Sequence, residues 1–138
     1  MTAQIEEILM YEGKKHHAHF DALYPYLKKN KELEEPYPAA TNCYRGYEGQ
    51  WKVKDKKLYL KKLKVYRENE EVNGMELYFS NAQVVFAVWF NGEIALPAGK
   101  ETMHSHSTGA LYEKYLVLKF SKGILTKTFE RKGFGGFC

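Results

Sequence analysis

Apolar side chains recur at every second position over much of this chain, and the stretches that break the rule are short and rich in glycine, proline or charge. Residues 5–11 and 15–20 flank Glu12-Gly13-Lys14, which predicts a hairpin, although a helical turn over 5–10 is an alternative. Residues 21–42 hold Pro25, Pro36 and Pro38 and the polar run Lys28-Lys29-Asn30-Lys31-Glu32. They predict one short helix and an irregular crossing segment.

From residue 43 the alternation sharpens. Cys43, Arg45, Tyr47, Gly49, Trp51 and Val53 fall on one side of a strand, with Tyr44, Glu48, Gln50 and Lys52 on the other. Lys54-Asp55-Lys56 turns the chain into residues 57–66, where Leu58 and Leu60 keep one phase and Leu63 and Val65 take the opposite one. An extra residue restores inward pointing, so Lys61-Lys62 is the expected position of a β-bulge. Residues 67–74 are polar, contain Asn73-Gly74 and read as a loop, and 75–79 fit a short helix or strand. Residues 84–90 are apolar throughout and read as a strand buried on both faces, with Asn91-Gly92 turning into 93–96 as a second hairpin. Pro97, Gly99 and residues 102–109 read as a loop. Residues 112–120, with Leu116, Leu118 and Phe120 on one face, pair through Ser121-Lys122-Gly123 with 124–129.

Eight or so short strands joined by tight turns, without an internal repeat, predict a mainly β fold: an antiparallel meander forming a partly closed barrel or small sandwich, with one short helix or irregular segment near 21–42. The chain's 138 residues fit one domain, residues 1–132, followed by a flexible Gly/Phe tail, 133–138.

Composition narrows the chemistry. Apolar residues at 44% supply a core, and aromatics at 15% suit half-buried sheet surface. The net charge of +4 is too mild to select a partner. Two cysteines, Cys43 and Cys138, give no disulfide framework and no CxxC pair, which points to a reducing, cytoplasmic setting. Acidic residues near the start do not fit a signal peptide, and the longest apolar run, Val84 to Phe90, is far short of the ~20 residues that span a bilayer. No membrane role is expected. The P-loop, dinucleotide, nucleophile-elbow and zinc-protease motifs are all missing.

Three constellations carry candidate chemistry. The histidines form two groups, His16, His17 and His19 in one and His104 and His106 in the other. In strands, His17 with His19 and His104 with His106 would each share a face, so four imidazoles could meet at one Zn²⁺ or Ni²⁺, or serve histidine-dependent catalysis. Against this, nothing in the sequence brings the two groups together. Arg45 falls on the otherwise bulky, apolar face with Tyr47 and Trp51. With Trp89 these make an anion- or ligand-pocket candidate, set against the plainer reading of core aromatics and an internally paired arginine. Lys52, Lys54, Lys56, Lys57, Lys61, Lys62 and Lys64, interleaved with Tyr59 and Tyr66, could follow a single-stranded nucleic acid. Lysines also protect sheet edges, and phosphate readers favour arginine, so the protected edge is preferred over nucleic acid.

Cys43-Tyr44-Arg45-Gly46-Tyr47 with Trp51, Trp89-Phe90-Asn91-Gly92-Glu93-Ile94 and Tyr112-Glu113-Lys114 resemble a group of small bacterial proteins with a C-[YW]-R-G-Y…W, W-F-x-G-x-[IL] and Y-E-K pattern. The similarity extends to residues 8–13 and 24–27, and the histidine groups lie outside it. That group has no established activity, so the resemblance implies a bacterial origin and a shared single domain, and it draws attention to Arg45 and the Trp-Phe turn. The leading expectation is a cytoplasmic binding domain with another protein as partner, of the accessory, inhibitor or immunity type, needing no cofactor. The alternatives are the metal- or histidine-dependent enzyme and the nucleic-acid-binding hairpin 52–64. Oligomeric state is left open.

Overall fold

The computed structural model describes residues 6–33, 36, 46–67, 70–105 and 109–132, with backbone alone for 99–105 and 109–112. The chain is mainly β. In order it forms β1 (Glu7–Tyr11), β2 (Lys14–Ala18), α1 (Tyr24–Lys29), β3 (Tyr47–Lys54), β4 (Lys57–Arg67), β5 (Glu70–Asn73), α2 (Gly74–Phe79), β6 (Val85–Phe86), β7 (Gly92–Ser105), β8 (Gly109–Ser121) and β9 (Ile124–Lys132).

Three of the expected hairpins are present, and their turns share one geometry. Glu12-Gly13, Asp55-Lys56 and Lys122-Gly123 all hold φ between 50° and 78°. A two-residue turn with two left-handed residues matches the right-handed twist of the strands it joins. Gly123 is required for a second reason, since a Cβ there would stand 2.4 Å from the Ala87 carbonyl oxygen.

The strands run β2-β1-β3-β4-β9-β8-β7 across one nine-stranded sheet, with β5 and β6 also on β4. Every pairing is antiparallel except β1 with β3, which is parallel. The end strands β2 and β7 come into contact without a ladder between them, so the sheet curls but does not close into a barrel. Its two halves meet where Lys57 faces Ile124, fixed by Leu58 N–H to Gly123 O at 2.9 Å and Leu125 N–H to Lys56 O at 2.6 Å.

The core lies inside the curl. Leu9, Trp51, Leu58, Leu60, Ile94, Leu96 and Leu118 are fully buried. Each aliphatic chain removed from water contributes about 2 kcal/mol. The bulge expected at Lys61-Lys62 is present: Gln50 faces Lys62 while Trp51 faces Leu60, leaving Lys61 with no partner on β3. This places Leu58, Leu60, Leu63 and Val65 all inward.

Several expectations need correction. Residues 84–90 are not a doubly buried strand. Only Val85–Phe86 pair, with β4 rather than β7, and Val84 and Val88 are 43% and 54% exposed. An uninterrupted apolar run suits a surface segment that plugs a core at every third residue, here Ala87 and Phe90, as well as it suits a strand. The polar stretch before Gly74 is partly strand, because β5 adds to β4 there, and the expected loop at 102–109 is largely taken up by β7 and β8. The lysine-rich hairpin is not an edge, since β4 carries β3 on one side and β5, β6 and β9 on the other. The proposed strand residues Cys43 and Arg45 and the tail 133–138 lie outside the described residues. Among the described residues, no helix is long and apolar enough to cross a membrane.

Candidate binding groove

On the side of the sheet facing away from the core, β1, β3, β4 and β5 set up two cross-strand rows. Ile8 pairs with Gln50 and Gln50 with Lys62; beside that row, Glu48 pairs with Lys64 and Lys64 with Asn73. Directly opposed residues share a face, so each row is a line of neighbouring side chains. These rows form the floor of an open groove of about 740 Å³ that continues to Met75 and the Asn81–Gln83 segment.

At its far end the groove reaches Met75 at the start of α2, a helix that packs on the inward Leu63 and Val65 of β4. Asn73 Oδ1 caps this helix by accepting from Met75 N–H at 2.9 Å. Gly74 follows because a Cβ at that point would meet the Leu63 side chain at 2.4 Å, so the helix starts pressed against β4. Ser80 and Asn81 take left-handed φ of 52° and 61°, and Asn81 N–H returns to Met75 O at 2.8 Å. That hairpin-like exit holds 81–83 over the groove.

Charges in the groove are mixed and mostly engaged. Lys64 Nζ lies 3.8 Å from Glu71 Oε1, the Tyr66 hydroxyl donates to Glu48 Oε2, and Glu6 Oε2 lies 3.7 Å from His19 Nε2. Lys61 and Lys62 are both exposed and make no ion pair among the described residues.

The candidate residues separate. Tyr47 and Trp51 are core, and neither lines the groove. Trp89 is half-buried, donates Nε1–H to Ala22 O at 2.6 Å, stacks on Phe79 and packs at a tilt against Tyr26, so it fastens the segment before β7 to both helices. Burial raises the Tyr26 phenol above its ordinary pKa, with Glu32 adding to the effect. Arg45 lies outside the described residues. Of the described candidates, Tyr47, Trp51 and Trp89, none lines the groove.

His17 faces Ile8 across the β1–β2 ladder and His19 lies against Glu6, so this histidine group borders the groove along β1. His16 faces Leu9 on the other side of the strand, and burial, with Lys14 second, lowers its pKa. His104 is placed on β7 by its backbone alone, and His106 lies outside the described residues. Among the described residues, no group of three or more His, Cys, Asp or Glu is placed to hold a metal ion.

In the lysine-rich hairpin, Tyr59 packs on Phe86 with ring centroids 5.8 Å apart, and Lys52 and Lys57 sit over the Tyr59 and Phe86 rings. With Tyr66 bonded to Glu48, both interleaved tyrosines are occupied by the protein itself.

No motif marks Glu7, yet it holds two strands together. Its side chain is fully buried, and its two oxygens accept from Gly49 N–H at 2.7 Å and Trp51 Nε1–H at 3.1 Å. The signal was there: Glu7, Leu9 and Tyr11 share a strand phase, and Gly49 interrupts a strand of bulky inward residues. A search of family models, curated proteins and solved structures finds no match to this chain.

Proposed function

We propose that this chain is a small cytoplasmic binding domain whose partner is another protein, in the manner of an accessory, inhibitor or immunity-type factor. The observation that carries the reading is the groove. Its lining mixes carboxylates, ammonium groups, carboxamides and apolar side chains, the groups that a polypeptide surface also offers. Glu6, Glu48 and Glu71 offset Lys61, Lys62 and Lys64 in the same lining, so the groove offers a strand of phosphates no net attraction. Such a strand would also find neither Tyr59 nor Tyr66 free to stack on a base.

The test is isolation of the untagged chain from its native cells at low salt, followed by native mass spectrometry. A polypeptide bound in fixed stoichiometry, and released by unfolding of either chain, is the expected result. Co-isolation of nucleic acid instead of protein overturns the reading. So does a divalent metal retained by the chain and lost in the His17→Ala and His104→Ala variants, which returns the histidine-dependent alternative. A chain that repeatedly emerges alone counts against a stable protein partner.

A further inference from the structure

We infer that Asn91 is a site of spontaneous backbone modification, cyclising onto the nitrogen of Gly92 to give aspartate and isoaspartate, while the fold holds the matching Asn73 unreactive. The inference is independent of what the groove binds. The chain has two Asn-Gly pairs, Asn73-Gly74 and Asn91-Gly92. In such a pair the glycine nitrogen has no Cβ beside it and lies close along the chain to an amide carbon, so attack is intramolecular and closes a small ring.

The chemistry needs only water. The Gly92 nitrogen gives up its proton to hydroxide and bonds to Asn91 Cγ, and the carboxamide nitrogen leaves as ammonia. Water then opens the succinimide at either carbonyl. Opening at Cγ gives aspartate; opening at the backbone carbonyl gives isoaspartate, whose chain runs through Cβ and Cγ to Gly92. Nothing is oxidised or reduced.

The fold separates the two pairs. Ring closure brings the glycine nitrogen to the same side of the Cα–C bond as Cβ, whereas the ψ of 112° at Asn73 turns the Gly74 nitrogen to the far side. Three contacts keep it there. Asn73 pairs with Lys64 on the β4–β5 ladder, its Oδ1 accepts from Met75 N–H at 2.9 Å and Glu76 N–H at 3.4 Å, and Gly74 is buried against Leu63 and Val65. Rotating that peptide would break all three together.

Asn91 is exposed, lies outside helix and strand, and precedes the first residue of β7. Its Oδ1 accepts from Lys122 N–H at 2.9 Å. This oxygen gains charge as the ring closes, so the donor that orients the carboxamide also stabilises the intermediate. Rotating the 91–92 peptide disturbs the end rung of the β7–β8 ladder, Gly92 with Phe120, and strand ends open at least cost. Aspartate keeps an oxygen for Lys122 N–H, whereas isoaspartate lengthens the backbone at that rung.

The experiment incubates the full chain in mildly alkaline buffer, folded or unfolded in guanidinium chloride, and follows both asparagines over days by peptide mapping. Mass spectrometry reads the exchange of NH₂ for OH, and fragment ions tell aspartate from isoaspartate. In guanidinium both asparagines should convert at similar rates. In the folded chain Asn91 should convert, and Asn73 should lag it by about fivefold or more, the factor set by a helix cap that must open first. An Asn73→Asp variant, which keeps the cap, should convert at Asn91 as the unaltered chain does. Equal rates at the two asparagines in the folded chain, a faster Asn73, or a folded chain in which neither converts while the unfolded chain converts both would overturn the proposal.

Discussion

Truncating Glu7 to alanine should cost more stability than any surface change in the sheet, and the amount follows from what its carboxyl group holds. Glu7 is fully buried, and its oxygens accept from Gly49 N–H at 2.7 Å and from Trp51 Nε1–H at 3.1 Å. Removing both acceptors leaves two donors without these partners in a dry interior, at about 1–3 kcal/mol each. Loss of the side chain's packed volume adds a cavity term. The total expected for Glu7→Ala is about 4 kcal/mol, read as a lower urea midpoint at unchanged slope, or a fall of about 12 °C in Tm for a domain of this size. Glu7→Gln keeps the volume and one carbonyl oxygen but turns an NH₂ toward one of the two donors, so it should cost about half as much. Trp51→Phe removes one donor, and combined with Glu7→Gln it should cost less than the sum of the two changes. A loss below about 1 kcal/mol in Glu7→Ala, or equal losses for alanine and glutamine, would refute the idea that this carboxyl group knits β1 to β3.

The bulge, the Trp89 contact and His16 each give a further expected outcome. Deleting Lys61 should put Leu63 and Val65 out of phase with Leu58 and Leu60 and abolish cooperative unfolding, while Lys61→Ala should stay within about 0.5 kcal/mol of the unaltered chain, both read from urea melts. Trp89→Phe should lose about 1 kcal/mol, because the Nε1–H bond to Ala22 O goes while most of the stack on Phe79 remains. His16 has its folded-state pKa lowered by burial and by Lys14, so the unfolded chain takes up a proton first as pH falls. Its contribution is intact above the unfolded value near 6.5 and declines below it, and His16→Gln should flatten that part of a plot of stability against pH.

What the sequence made legible was local. The turns at Glu12-Gly13, Asp55-Lys56 and Lys122-Gly123 and the slip at Lys61-Lys62 are written in residues adjacent along the chain, and each is present. What it hid was pairing at a distance. The parallel contact of β1 with β3 depends on where residues 19–46 return the chain, which no periodicity specifies. The run from Val84 to Phe90 misled because uniform hydrophobicity carries no phase; burial there follows Ala87 and Phe90, which contact β4 and the second half of the core. Residue type alone does not separate a binding aromatic from a core one, and Tyr47 and Trp51 are core, the commoner fate of such side chains. The groove escaped notice because its lining comes from four strands and the exit of α2, and none of the contributing residues is chemically unusual alone.

The bulge ties the interior to the exposed face. The core needs one extra residue between Leu60 and Leu63, and any residue tolerant of strand geometry would satisfy that need. Placing lysine at both bulge positions adds nothing inward, since both side chains leave the core, and it sets two like charges together where no carboxylate among the described residues pairs with either. On stability alone, a glutamate at position 61 facing Lys62 would be the better choice by a few tenths of a kcal/mol. An arrangement that is neutral to the core and mildly unfavourable at the surface is the pattern expected where a surface meets something outside the chain. The same local irregularity that lets β4 keep four aliphatic side chains inside thus also sets two lysines side by side on its exposed face.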